Sequence, residues 1–128
     1  MLSIQHIFTT VVIHLRKQGE PAVTSYNPNL CQYRNEAGQM CAAGCLIKER
    51  LYKKSLEGVS VSNIKIRHVL DASGIDMDDF NVSALIAELQ TSHDIRNAPD
   101  WLDLQEVRWK ALARRYDLVI PPIQLTTI

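Results

Sequence analysis

The sequence predicts an α+β domain that is mainly helical, with four to five helices and a short β-hairpin after the first helix. In several segments, apolar residues recur at intervals of three and four, which is the spacing of a helix with one buried face. After the first of these segments, alternating residues flank a turn sequence, which is typical of a hairpin. A chain of 128 residues can bury one core. We therefore expect a single globular domain over residues 1–120 and an extended tail over residues 121–128.

The clearest helix covers residues 3–18. Its apolar face consists of Ile4, Ile7, Phe8, Val11, Val12 and Leu15. Ser3 is a suitable N-cap, because its hydroxyl can accept a hydrogen bond from a free amide of the first turn. Gly19, followed by Pro21, ends the helix.

The predicted hairpin lies in the segment 30-LCQYRNEAGQMCAAGCLI-47. Residues 30–34 alternate as one strand, residues 35–38 supply a turn that ends in glycine, and residues 39–41 form the returning strand. Residues 42–51 then predict a short helix that carries Cys45 and Leu46 inward.

Three further helices follow. Ser62 or Asn63 caps the first of them, and Gly74 ends it. Its buried face is Ile66, Val69 and Leu70. The acidic residues 76–79 favour a helix start at Phe80, because negative charge stabilises a helix N-terminus. The buried face of that helix is Val82, Leu85, Ile86, Leu89 and His93. Asp100 caps the last helix. Its packing residues are Trp101, Leu104, Val107, Ala111 or Leu112, and Tyr116.

The charge balance is neutral, with fourteen basic and fourteen acidic residues. A neutral chain has no overall attraction to nucleic acid or to an anionic membrane, and it is free to self-associate, so we expect a small homo-oligomer. We find no signal-peptide pattern and no apolar stretch long enough to span a bilayer. Three cysteines are an odd number, which favours free thiols and a cytoplasmic protein.

The cysteines raise the question of a metal site, but their spacing supports one poorly. Cys31, Cys41 and Cys45 supply three thiols, and His68 or His93 is available as a fourth tetrahedral ligand. Zinc sites usually combine two close ligand pairs, whereas this chain has one loose pair and a distant single cysteine. We therefore expect neither a metal nor a cofactor, and we interpret the cysteines as small buried apolar residues.

Thiol catalysis is a second hypothesis. Cys41 is predicted to lie near a helix start, where the helix dipole stabilises a thiolate. His93 and Asp94 would then provide the base and the carboxylate that orients it, as in a cysteine-dependent hydrolase or transferase. The competing interpretation is that His93 is a helix-end residue that hydrogen-bonds to the backbone.

A binding surface is the third hypothesis. Arg34 offers a planar fork for a phosphate, and Tyr33 offers a face on which a ring can stack. Gly38 and Gly44 would allow backbone amides to approach a ligand closely. In the competing interpretation, Tyr33 packs in the core and Arg34 pairs with a glutamate. We find no glycine-rich phosphate loop of the ATPase or dinucleotide type.

The segment Cys31-x-Tyr33-Arg34-x3-Gly38-x2-Cys41-Ala42-x-Gly44-Cys45-Leu46-Ile47 resembles a family of small phage and prophage proteins that has no established activity. The resemblance covers residues 4–116. It includes the first helix, with His-Leu-Arg-Lys-Gln-Gly at residues 14–19, a Tyr-x4-Glu-Gly motif at residues 52–58 and a Leu-Gln-x2-His-Asp motif at residues 89–94. This chain has Lys48-Glu49 where the family often has Pro-Asp, and its tail after Tyr116 is longer.

The resemblance implies an accessory protein of phage type. For such a protein we expect a non-enzymatic role in the host cytoplasm, where it antagonises a host defence system. It would do so by binding a host protein or by sequestering a signalling nucleotide. The expected binding residues are Tyr33, Arg34, Gly38 and Gly44.

Overall fold

The structure is a computed structural model, and it describes residues 1–27 and 30–123. The described residues form four α-helices: α1 (Ile4–Gln18), α2 (Ile64–Ala72), α3 (Phe80–His93) and α4 (Trp101–Tyr116). Between α1 and α2 lie three short 3-10 turns: Gly44–Leu46, Glu49–Leu51 and Lys54–Leu56. The predicted mainly helical class is confirmed.

Three of the four described helices begin at a residue whose side chain caps them, whereas Asp100, which was predicted to cap α4, holds the N-cap position without a side-chain capping hydrogen bond. The hydroxyl of Ser3 accepts the amide N–H of His6 at 3.1 Å, and the carboxylate of Asp79 accepts that of Val82 at 3.1 Å. Asn63 caps α2 in the same way. Each bond satisfies a donor that the first turn of a helix leaves free.

The core forms where α1 packs against α3 and against the first 3-10 turn, while α3 also packs against α4. The predicted apolar face of α1 is buried from Ile7 to Leu15, and Trp101 and Trp109 of α4 are both buried. Val107, which we expected to pack, is 66% exposed, and Gln105 is fully buried instead. The buried face of α4 is displaced because Gln105 exchanges two hydrogen bonds with Ser92 of α3, at 2.8 and 2.7 Å.

The predicted hairpin is not seen. Residues 30–41 take part in only two isolated bridges, one between Val23 and Cys31 and one between Arg34 and Met40. The described residues form no β-strand. The β-ladder cannot extend because the consecutive backbone amides of Tyr33 and Arg34 both donate to the carboxylate of Glu57. In a regular strand, successive N–H groups point in opposite directions, so this arrangement is incompatible with strand geometry.

The predicted helix over residues 42–51 is replaced by two of the 3-10 turns. The backbone carbonyl of Ile47 accepts a bond from the guanidinium of Arg34 at 2.5 Å, and Ile47 itself is extended. The extended backbone of Ile47 breaks the helical path, and the amide of Leu51, four residues later, donates to the carbonyl of Lys48 instead. The helix therefore stops after one turn.

The predicted tail begins in an ordered extension. Both backbone groups of Val119 bond to the side-chain amide of Gln5, at 2.8 and 2.9 Å. The carbonyl of Pro121 accepts from Arg16 at 2.6 Å. Val119 and Pro121 are therefore held on α1, whereas residues 124–128 of the predicted tail lie outside the described residues.

Helix directions define two ends of the molecule. The starts of α1 and α3 and the end of α4 meet in one groove. At the other end, Gln18 of α1 and Gln90 and His93 of α3 bond to the backbone of Met40, Ala43 and Ala22, respectively. A helix of 15 residues is about 22 Å long, so these two ends are separated by about that distance.

Candidate functional site

The imidazole of His93 is fully buried at the end of α3, and both of its ring nitrogens are bonded. Nε2 accepts the backbone N–H of Ala22 at 3.0 Å, and Nδ1 lies 2.9 Å from a carboxylate oxygen of Asp94. The edge of the ring meets Trp101 of α4, with 5.7 Å between the ring centroids. His93 therefore joins α3 and α4 to the chain that follows α1.

Asp94 extends this network to two more segments. Its carboxylate oxygen also accepts the side-chain amide of Gln90 at 2.9 Å, and Gln90 in turn accepts the backbone N–H of Ala43 at 2.9 Å. The Cys31 thiol lies beside the same carboxylate, and a thiol sulfur, a ring nitrogen and a carboxylate oxygen come within 4.8 Å of one another. The cysteine next to the predicted His93–Asp94 pair is thus Cys31.

The group of Cys31, His93 and Asp94 has the donor atoms of a metal site, but the ring of His93 is not free to bind. A neutral imidazole carries one N–H. The lone pair of Nε2 faces the Ala22 N–H, so the proton is on Nδ1 and donates to Asp94. A metal at Nδ1 would move that proton to Nε2, where it would oppose the Ala22 N–H. These bonds therefore favour a structural role for His93.

The Cys41 thiol is fully buried, and its sulfur accepts the backbone N–H of Gly44 at 3.3 Å. Burial raises the pKa of this thiol well above the ordinary value. Burial also raises the pKa of Cys45 to about 12. Burial, and then the negative charge of Asp94, raise the pKa of Cys31 to about 12. All three thiols are held in the protonated form, whereas a nucleophilic cysteine needs a stabilised thiolate.

We therefore expect slow alkylation of all three cysteines in the folded protein. A thiol whose pKa rises from 9.0 to about 12 has far less thiolate at pH 8, so Cys31 should react with iodoacetamide at least tenfold more slowly than a free thiol. The rate should increase with pH, because deprotonation creates the reacting species. Mass spectrometry of folded and urea-unfolded samples measures this, and fast labelling of folded Cys31 or Cys41 at pH 8 would contradict it.

The backbone amides of Tyr33 and Arg34 are held by Glu57, which lies more than twenty positions later in the chain. The carboxylate of Glu57 accepts the backbone N–H of Tyr33 at 2.8 Å, that of Arg34 at 3.1 Å and the hydroxyl of Tyr52 at 2.6 Å. Neither Glu57 nor Gln90 was predicted as a site residue. Both belong to the motifs of the phage-family resemblance, which was the available signal.

The side chains of Tyr33 and Arg34 face the protein. The ring of Tyr33 is buried, and its hydroxyl donates to the carbonyl of Val59 at 2.5 Å. The guanidinium of Arg34 lies over the ring of Tyr52, 5.1 Å from its centroid. Among the described residues, the buried Nε of Arg34 has no hydrogen-bond partner. Tyr33 therefore does not offer an exposed stacking face.

The two glycines of the predicted binding set have different roles. Gly44 is buried against the backbone of Tyr33: a β-carbon built on it would lie 2.8 Å from the carbonyl carbon of Tyr33 and closer still to the oxygen. Gly38 has φ +83° and closes an exposed turn. Only Gly38 is on the surface.

Within residues 31–47, the exposed residues form the tip of the turn, which we define as residues 36–38. The turn is fixed by Asn35, whose side chain accepts the N–H of Gln39 at 2.9 Å and donates to the carbonyl of Val23 at 2.9 Å. A small groove of about 260 Å³ lies next to the tip, between Gly38 and Gln39 and the α1 residues His14, Lys17 and Gln18.

A larger groove, of about 590 Å³, lies at the other end of the helices. It is lined by the start of α1, the start of α3 and the end of α4, and it includes Met1, Leu2 and Phe80. Phe80 is 80% exposed although it is aromatic. We call this surface the Phe80 groove.

Comparison with protein-family models, with curated proteins and with solved structures finds no match to this chain. None of the helices in residues 1–27 and 30–123 has the length and apolar character needed to cross a membrane.

Proposed function

We propose that this chain is a non-enzymatic binding protein of phage type, which acts in the host cytoplasm and counters a host defence system by binding a host protein. The binding surface is the tip, residues 36–38. The observation that carries the proposal is the long connection between α1 and α2, whose described residues, 19–27 and 30–63, contain no α-helix or β-strand but are firmly held. Irregular connections longer than about 15 residues are uncommon in compact domains and usually functional or disordered.

The bonds that hold the long connection come from side chains of the flanking helices. Gln18 of α1 bonds to both backbone groups of Met40, at 2.9 and 3.0 Å. Gln90 and His93 of α3 bond to the amides of Ala43 and Ala22. A surface whose backbone is fixed before binding loses less entropy when it binds, which favours a recognition role.

The same bonds argue against catalysis by Cys41, His93 and Asp94. The lone pair of His93 is already used by a backbone amide, and the thiol of Cys41 is buried and protonated. A general base needs a free lone pair within reach of the nucleophile. The polar side chains of His93 and Asp94 are therefore better explained as support for the segment that carries the tip than as a reaction centre.

A substitution at the tip tests the proposal. Ala37 is exposed, so Ala37→Arg adds bulk and charge to the surface without entering the core. Ser55→Arg is the matched control, because Ser55 is also exposed on the long connection. We expect pull-downs from host lysate to recover a partner with the wild type and with Ser55→Arg, and at least tenfold less with Ala37→Arg.

The outcome that contradicts the proposal is a folded Ala37→Arg protein that recovers the partner as well as the control does. Mass spectrometry of the eluate for nucleotides, run on the same samples, detects a signalling nucleotide if that is the ligand. A phage-infection assay with the two variants then tests whether the lost binding removes the protection that the protein gives the phage.

We also propose that the protein acts as a small homo-oligomer. Val107 projects from α4 and is 66% exposed, and the contacts of homodimers are more apolar than the rest of a protein surface. Light scattering after size exclusion measures the mass, for which a monomer has 14.5 kDa.

A further inference from the structure

The Phe80 groove is distinct from the proposed binding tip. The tip is supported by the ends of α1 and α3, and the groove is formed by the starts of the same two helices. The length of α1 places about 22 Å between them. A ligand in the groove would therefore leave the tip open.

The lining of the Phe80 groove includes apolar side chains that are highly exposed. Met1 and Phe80 are 82% and 80% exposed, and Leu2 and Val82 add further apolar lining. Leu2 is fixed in this position by a bond of 2.9 Å from its amide to the carbonyl of Gly74. Large apolar side chains that remain exposed in a concave surface are typical of a binding site.

The rim of the groove is acidic. Asp76 and Asp79 lie before α3, and Asp117 lies after α4. Arg115 also lines the groove, but it is already paired with Glu88. Three acidic residues therefore line the groove without an equal number of unpaired basic side chains, and this favours a cationic ligand.

We propose that the Phe80 groove binds a segment of a partner protein in which an apolar side chain lies next to lysine or arginine. The apolar side chain packs on Phe80 and Leu2, and the basic side chain meets the carboxylates of Asp76 and Asp117. The acidic rim repels an anionic membrane surface, so the apolar lining of the groove is not explained by lipid binding. A second copy of this chain would bring an identical acidic rim to a symmetric contact, which opposes that occupant.

The test uses ¹⁵N-labelled full-length protein and three synthetic peptides: Lys-Leu-Lys-Phe-Lys, Glu-Leu-Glu-Phe-Glu and Lys-Ser-Lys-Ser-Lys. We expect the first peptide to shift the amide resonances of Leu2, Asn81 and Asp117 in a saturable way. The other two should bind at least tenfold more weakly, because each lacks one of the two required features.

Two pairs of variants identify the groups responsible. Phe80→Ser should weaken binding of the first peptide about tenfold or more, whereas Ile64→Ser, which removes another highly exposed apolar side chain from a helix start, should leave it unchanged. Asp76→Asn should weaken binding about threefold, whereas Asp71→Asn on α2 should not. Unchanged thermal unfolding of these variants excludes loss of the fold.

The proposal is wrong if none of the peptides shifts these resonances, or if the acidic peptide shifts them as strongly as the basic one. It is also wrong if the groove resonances shift on dilution without peptide, since a second copy would then occupy the groove. If the Ala37→Arg protein loses its partner in the pull-down but still binds the first peptide normally, the groove and the tip are independent binding surfaces.

Discussion

Replacing Gly44 with alanine is expected to lower the free energy of unfolding by about 4 kcal/mol, which is at the upper end of single-substitution effects. The new β-carbon would lie 3.0 Å from the α-carbon of Tyr33, 2.8 Å from its carbonyl carbon and closer to its oxygen. The backbone of Tyr33 would have to move, and the same carbonyl also accepts the amide of Cys41 at 3.1 Å. The substitution therefore breaks a bond as well as creating a clash.

Gly38→Ala is the matched control, and urea unfolding followed by tryptophan fluorescence is the measurement. A β-carbon at Gly38 meets no atom within 4 Å, so only the positive φ opposes alanine, at a cost of about 1 kcal/mol. If Gly44→Ala is no less stable than Gly38→Ala, the close contact between Gly44 and Tyr33 is not present in solution.

His93→Ala is expected to lower the free energy of unfolding by about 4 kcal/mol. The buried N–H of Ala22 would lose its acceptor, at a cost of about 1–3 kcal/mol. The space left by the ring, next to Trp101, would cost about as much again, because a buried cavity closes only in part. His93→Gln should be intermediate, since its amide oxygen can accept the Ala22 N–H.

His68→Ala is the control for this series, because His68 is exposed on α2 and should contribute less than about 0.5 kcal/mol. The series distinguishes a structural histidine from a catalytic one. A catalytic histidine alone would leave stability unchanged, so a His93→Ala protein as stable as His68→Ala would contradict the hydrogen bonds of His93 with Ala22 and Asp94.

The helices could be predicted because their determinants are local. The face of α1 and the caps Ser3, Asn63 and Asp79 lie within a few residues of the groups that they satisfy. The buried face of α4 was predicted only in part, since Gln105 is buried through a partner on another helix. Apolar spacing alone does not identify such a polar pair.

The candidate site was harder to predict, for the same reason. The sequence indicated His93 and Asp94 as a pair because they are adjacent, but it associated them with Cys41. In the fold, Cys31 lies beside Asp94, and this proximity depends on how the long connection returns to α3. The hairpin was wrong because Glu57, more than twenty positions away, takes the amides that a ladder requires.

The positions of the four helices and the side-chain caps of three of them could be read from the sequence, because they follow from groups that are close in the chain. Which polar groups are bonded and which surfaces are open could not be read in this way. A hydrogen bond between Ala22 and His93, or an exposed Phe80 at a helix start, depends on distances between segments, and those distances are set by packing.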